Sequence, residues 1–94
     1  MAAERPSLEE LSQRNRLLTG LYVGTAWKHV ASGKFYEVTK ITMREADADP
    51  TVDYSPVGYP DLTFNRPLSE WLEMIGADQQ QPRFARAERT VTYA

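Results

Sequence analysis

The chain is expected to fold as an α+β domain: a small, strongly bent antiparallel β-barrel with an N-terminal helix and a short second helix after an arginine–proline corner. Three features of the sequence predict this. The hydrophobic period changes from helical to extended at Gly20. The longest extended run, "FYEVTKITMRE" (35–45), changes which side carries its apolar residues halfway along. After the corner, Leu68, Trp71, Leu72 and Ile75 stand at i, i+3, i+4 and i+7, one apolar stripe of a helix.

The expected organisation is an N-terminal helix over 1–19 and a barrel over 20–94, with the short helix at 67–75. In "PSLEELSQRNRLL", Ser7 followed by Glu10 is a capping box, in which hydroxyl and carboxylate each satisfy a backbone N–H of the first turn. Leu8, Leu11 and Leu18 fall near one face, and Asn15 interrupts it. So narrow a face suits a lid on the main body or on a second subunit. Thr19-Gly20 is the expected stop. "GLYVG" and "AWKHV" then read as strand pieces, and "ASGK" as the tight turn of a hairpin.

Within 35–45, Tyr36 and Val38 put the apolar side on even positions, whereas Ile41 and Met43 put it on odd ones. Side chains alternate with period two, so a regular strand cannot hold both pairs on one face. A bulge near Thr39-Lys40 would reset the phase and bend the strand, as small barrels require. "TVDYS" alternates, with Val52 and Tyr54 on one side. Pro56, Gly58 and Pro60 mark a loop or sheet edge. "LTF" reads as a short strand with Leu62 and Phe64 inward. Pro67 suits the first helical position, Gly76 suits the last turn, and about three turns would plug an open barrel end. "GADQQQPRF" reads as a polar linker and "RTVTY" as a final edge strand.

The motifs Tyr36-Glu37-Val38, Phe64-Asn65-Arg66-Pro67 and Pro82-Arg83-Phe84, in the order "GLYVG…YEV…VDYSPVG…FNRPLSEWLE…QPRF", resemble a small bacterial family catalogued as domain of unknown function 1653. The resemblance covers residues 20 to 85. It implies a small barrel of the Src-homology-3 (SH3-like) type and no established activity, so it supplies no catalytic residues. The chain departs from the pattern in extra residues between Tyr22 and His29, a longer proline-rich loop before Asp61, and the added N-terminal helix.

Composition bounds the function. The 94 residues make one domain, 41% hydrophobic and 26% charged, as in soluble globular proteins. No cysteine and a single histidine, His29, leave no thiolate zinc site and no histidine cluster, so neither metal nor other cofactor is expected. The net charge of −2 argues against broad attraction to nucleic acid or an anionic membrane. No apolar run reaches the roughly twenty residues of a membrane span, and "MAAERPSLEELSQ" carries no signal-peptide core, so a cytoplasmic location is expected.

Against this background the expected function is non-catalytic recognition of a peptide or protein partner through an aromatic groove at the barrel mouth. The candidate ligand-binding residues are Trp27, Lys28, Tyr36, Tyr54, Tyr59, Arg66 and Arg83. Trp27, Lys28, His29, Lys34 and Tyr36 interleave bases and aromatics, a mixture able to stack a base or a peptide proline while a cation meets an acid or phosphate. The bland alternative is a hairpin with aromatics in the core and solvated lysines. Tyr54 and Tyr59 would extend the groove, Tyr59 from an irregular loop. Arg66 and Arg83 either clamp an anion or hold the fold by bonding carbonyls or nearby acids.

The second expectation is a nucleotide or nucleic-acid ligand, held by Lys28, Lys34, Arg66 and Arg83. Arg83, Arg86 and Arg89 recur every three residues but are diluted by Glu88. A third is a small hydrolase joining His29 to an acid; Ser32 is near, but no nucleophile motif surrounds it. Glu45, Asp47, Asp49 and Asp53 lack the spacing of a calcium loop and read as solvated. Monomer and homodimer stay equally open.

Overall fold

The computed structural model describes residues 6–75 and 81–87. In chain order the elements are α1 (Leu8–Tyr22), β1 (Ala26–His29), β2 (Phe35–Arg44), β3 (Asp49–Pro56), β4 (Phe64–Pro67), α2 (Leu68–Trp71), β5 (Met74–Ile75), β6 (Gln81–Pro82) and β7 (Phe84–Arg86). Five strands form one antiparallel sheet in the order β4-β3-β2-β1-β7, while β5 and β6 make a separate two-stranded ribbon.

Helix α1 begins at the expected cap: the Glu10 N–H donates to Ser7 Oγ at 3.1 Å. The reciprocal half differs, since the Ser7 hydroxyl meets the Glu10 carboxylate at 3.2 Å. The helix does not stop at Gly20, and "GLYVG" is not a strand. Glycine inside a helix costs about 1 kcal/mol relative to alanine, a small sum beside the packing of Leu18 and Tyr22 against the core. The stop comes at Val23-Gly24 instead. The Val23 N–H closes on Thr19 O at 3.0 Å, Gly24 takes φ 87°, and its N–H reaches Val38 O at 2.9 Å, tying the helix end to β2. No α1 residue is fully buried, and Leu8, Leu17 and Leu21 are exposed.

The β1–β2 hairpin turns where expected, with Gly33 at φ 75° and its N–H on His29 O at 2.7 Å. In β2 the register against β3 runs Val38↔Tyr54 and then Lys40↔Asp53, so Thr39 is the extra residue of a bulge. Tyr36, Val38, Ile41 and Met43 thereby share one face, which faces the same side as Val52 and Tyr54 of β3. Val38, Ile41 and Val52 are almost completely buried.

Two elements depart from expectation. The strand expected at "LTF" is Phe64–Pro67, so Arg66 and Pro67 belong to β4 and the corner follows them. Phe64 faces the core side next to Tyr54 but only at the rim, and Leu62 lies in the loop before the strand; each is 44% exposed. Helix α2 is one turn, not the three of 67–75, and Pro67 is its N-cap rather than its first residue. Leu68 and Trp71 are buried by that single turn, while Leu72 stays exposed, so a further turn would bury little. The chain leaves the helix at Leu72 (φ −91°, ψ 3°), and Met74–Ile75, expected to be helical, pairs with Gln81–Pro82 of the segment expected to be linker. The cap at Gly76, the strand "RTVTY" and Arg89 lie outside the described residues.

The sheet is curled into a trough. Strands lie about 4.8 Å apart, so β7 and β3, three spacings apart, would be separated by about 14 Å if the sheet were flat. The rings of Phe84 on β7 and Tyr54 on β3 are 5.8 Å apart. Arg66 on the β4 edge reaches across the trough to the Phe84 ring, 5.7 Å from its centroid. Among the described residues no ladder joins β4 to β7, so the expected closed barrel is instead an open, curled sheet. Trp71 fills the trough, stacked on Phe84 (3.9 Å, 11°) and in contact with Tyr54 and Trp27 at 4.7 and 5.6 Å. Trp27, Val38, Ile41, Val52, Tyr54, Leu68, Trp71 and Phe84 form the core, with Leu18, Tyr22 and Tyr36 against it.

Candidate functional site

At one end of the trough the strand ends and the 57–63 loop enclose a groove of about 610 Å³, lined by Lys34, Phe35, Tyr36, Pro56, Val57, Tyr59, Leu62 and Phe64. Each wall has a local cause. Pro56 pairs with Tyr36 at the last rung between β2 and β3, and the Val57 N–H still reaches Phe35 O at 3.0 Å. The chain then turns through Gly58 at φ 94°, where an L side chain would be strained, and closes with Tyr59 N–H on Pro56 O and Leu62 N–H on Tyr59 O. This lifts Tyr59 and Leu62 off the sheet. Phe64 faces the trough, 5.8 Å from the Tyr54 ring, but stands at its rim, where half its surface has nothing above it.

Beside the groove lies a group of bases gathered round Phe84. Tyr36 bridges the two regions, its ring 6.1 Å from that of Phe84. Arg66 Nε approaches Tyr54 Oη at 3.4 Å, and its Nη1 stands 3.7 Å from Glu70. These neighbours, the tyrosine oxygen first, raise the Arg66 pKa further. Arg83 Nη2 stands 3.6 Å from Glu73, and Arg83 Nε is buried with no hydrogen-bond partner among the described residues. The buried indole N–H of Trp71 is likewise without an acceptor. The His29 ring lies 5.1 Å from that of Phe84.

His29 and Ser32 do meet, Nδ1 to Oγ at 2.7 Å, and the Ser32 and Lys34 N–H groups point to His29 Nδ1 and Ser32 Oγ at 3.3 Å each. Partial burial, then Arg66, Arg83 and Lys34 in turn, depress the imidazole pKa. A neutral ring with Nδ1 accepting from the serine explains the geometry as a clasp on the hairpin turn. The charges acting on this ring are cations, whereas an activated nucleophile requires a third group to orient its base. Among the described residues no group of three metal-ligating side chains occurs. The acidic loop is held by its own arginine: Arg44 bonds Asp47 at 2.8 Å and Asp49 at 3.2 Å, and this holds the Asp47 carboxyl below the usual range.

Of the residues singled out from the sequence, Tyr36 and Tyr59 line the groove. Trp27 and Tyr54 are core residues, 8% and 6% exposed, and Trp27 Nε1 is bonded to Thr25 Oγ1 at 2.8 Å. Lys28 alternates with Trp27 and is exposed on the outer face of the sheet. Arg66 lies over the Phe84 ring and Arg83 stands beside Glu73; neither lines the groove. Phe35, Pro56, Val57, Leu62 and Phe64 were not expected there. The proline-flanked loop was the available signal for Val57 and Leu62, but alternation assigned Leu62 and Phe64 to the core.

No described helix is long and apolar enough to cross a membrane. No protein-family model, curated protein or solved structure matches the chain. The class that the geometry defines is therefore a small α+β domain with a curled five-stranded sheet, an aromatic groove and an adjoining basic cluster.

Proposed function

We propose that this chain is a non-catalytic recognition module that takes an extended peptide segment of a protein partner in the groove between the β2–β3 end and the 57–63 loop. One observation carries this reading: Phe35, Tyr59, Leu62 and Phe64, exposed by 44%, 61%, 44% and 44%, all border a single groove. Large apolar side chains scattered singly over a surface are ordinary, but a contiguous set is the usual mark of a binding face. Rigid aromatic rings bury much area at little entropic cost, and an extended chain fits a groove walled by strand ends. The SH3-like character of the sheet belongs to the same proposal, supported by the bulge and the curl; the likeness to domain of unknown function 1653 rests on the sequence motifs alone.

Panning a phage-displayed library of eight-residue peptides tests it, with selected peptides measured by fluorescence anisotropy. Tyr59→Ala and Phe64→Ala are expected to weaken binding by tenfold or more; Tyr59→Ala should leave the melting temperature unchanged, whereas Phe64→Ala should lower it through the lost contact with Tyr54. Selected peptides that bind both variants as they bind the parent would overturn the reading. The second ligand class, a nucleotide or nucleic acid, is favoured by Lys34 lying in the groove beside Tyr36. Its signature would be an oligonucleotide affinity that falls steeply with salt.

A further inference from the structure

Resting on that reading, we infer that the bound segment also joins the sheet: past Phe64 it pairs antiparallel with the free edge of β4, exchanging backbone hydrogen bonds with Asn65 and setting one apolar side chain beside Phe64. The peptide recognised then has a free N–H opposite Asn65 and a large apolar residue next to it, which is more than an apolar chain that fits the groove.

Hydrogen-bond parity fixes which way β4 presents its backbone. In an antiparallel ladder one residue turns its N–H and C=O to the strand on one side, and the next residue turns them to the other. Val38 turns to the β1 side, accepting from Gly24 at 2.9 Å and donating to Thr25 at 3.0 Å. Phe35, of opposite parity, turns to β3, where its carbonyl accepts from Val57 at 3.0 Å. Ser55, opposite Glu37, therefore faces β2, and Asp53 does the same because the bulge adds its extra residue to β2 and not to β3. Val52 and Tyr54 face β4, where they meet Arg66 and Phe64. Asn65, between those two, turns both backbone groups away from the sheet.

Two observations say what this edge takes. It is continuous with the groove: Leu62 and Phe64 both line it, and Thr63, Phe64 and Asn65 are exposed, so the open edge begins where the groove wall ends. It is also short. Pro67, the next residue of the same parity, has no N–H, and α2 begins directly after it. Proline on an edge strand blunts it against pairing with another sheet. A second copy laid two-fold about Asn65 would set Thr63 of each chain opposite Pro67 of the other and forfeit the bond that proline cannot donate. A peptide of a few residues has no such demand. Opposite Asn65 it gains a pair of bonds, and its next side chain falls on the face of Phe64, where a directly opposed apolar pair adds packing. Strand addition of this kind draws affinity from the backbone and specificity from alternate side chains.

The test uses a peptide selected on the groove, remade with a single N-methyl group at each position in turn and measured on the intact protein by fluorescence anisotropy. N-methylation opposite Asn65 is expected to weaken binding about tenfold, the value of one hydrogen bond, and N-methylation of the neighbouring apolar residue to change it by less than about twofold. A scan without that alternation overturns the inference. On the protein side, Asn65→Pro should bind about tenfold more weakly than Asn65→Ala. Both lose the side-chain bond to Asp53 at 2.6 Å, and only proline removes the outward N–H. Equal binding by these two variants, with Tyr59→Ala still weakening the peptide, overturns the strand addition and leaves the groove standing. If no peptide is selected, both fall. Amide exchange followed by NMR needs no variant to fold: in the free protein the N–H groups of Phe64 and Arg66 should exchange slowly and that of Asn65 quickly, and saturating peptide should slow Asn65. An Asn65 amide that the peptide leaves unchanged overturns the inference. So does one already slow in the free protein that quickens on dilution, as pairing of two copies requires.

Discussion

His29 shows how one residue's surroundings set its chemistry. In the unfolded chain its pKa is near 6.5, and in the folded protein burial, Arg66, Arg83 and Lys34 lower it. Between the folded and unfolded values the unfolded chain binds more protons, so stability rises with pH through that window. The contribution is complete above 6.5 and is lost as pH falls below it. Urea midpoints measured at about pH 7.5 and about pH 5.5 should therefore fall together with pH for the parent, and His29→Gln should flatten that difference. A parent midpoint that holds steady over this range would contradict the assignment. At the same scale, Trp71 combines complete burial with an indole N–H that has no acceptor among the described residues, while its ring packs on Phe84, Tyr54 and Trp27. Which aromatics are exposed and which pack was not legible from residue type: Trp27, Tyr54 and Tyr59 look alike in sequence, and of the three only Tyr59 is lifted off the sheet.

At the scale of single elements, the bulge in β2 was legible because parity leaves no alternative. Val38 and Ile41 are an odd number of positions apart, and both lie in the core only if one residue is skipped. Deleting Thr39 alone would leave an unbroken ladder with Ile41 still opposite Val52. Deleting Thr39 and Lys40 together should send Ile41 and Met43 to the outer face, at a cost comparable to losing a core aliphatic side chain, about 2–5 kcal/mol. Thr39→Ala, which removes only an exposed hydroxyl 3.2 Å from Asp53 O, should cost within about 1 kcal/mol. Chemical denaturation of the double deletion and of Thr39→Ala checks the contrast; equal effects would mean that the register, and not the inserted residue, is misassigned. The lengths of the helices were less legible. The stripe at Leu68, Trp71, Leu72 and Ile75 satisfies helical period, yet period says nothing of whether a surface waits for the second turn. Gly20 likewise carries the sequence mark of a stop, and the packing of Leu18 and Tyr22 carried α1 past it.

Across the whole molecule, Phe84 is where the curl is made. Its ring touches Trp71 on α2, Tyr54 on β3, Tyr36 on β2, His29 on β1 and the Arg66 guanidinium on β4. Phe84→Ala should cost about 3–5 kcal/mol, and amide exchange should quicken in β4 as well as in β7, although four strand spacings separate them along the sheet. Loss of protection confined to β7 and β1 would show that the trough holds its shape without this ring. The candidate site depends on the same curl. It brings Arg66 over the ring of Phe84, 18 positions along the chain, and it turns the last rung of β2 and β3 into a groove wall.

Local chemistry alone was enough to establish the α+β class, the Ser7 cap, the hairpin at Ser32-Gly33, the phase change at Thr39 and the exposed position of Tyr59. Each follows from backbone sterics or side-chain parity over a few neighbouring residues. The end of α1, the single turn of α2, the exposure of Leu62 and Phe64, and the placing of Arg66 over Phe84 required the folded chain. Burial and charge proximity are properties of distance in space, and a curled sheet sets those distances between residues that the chain itself keeps far apart.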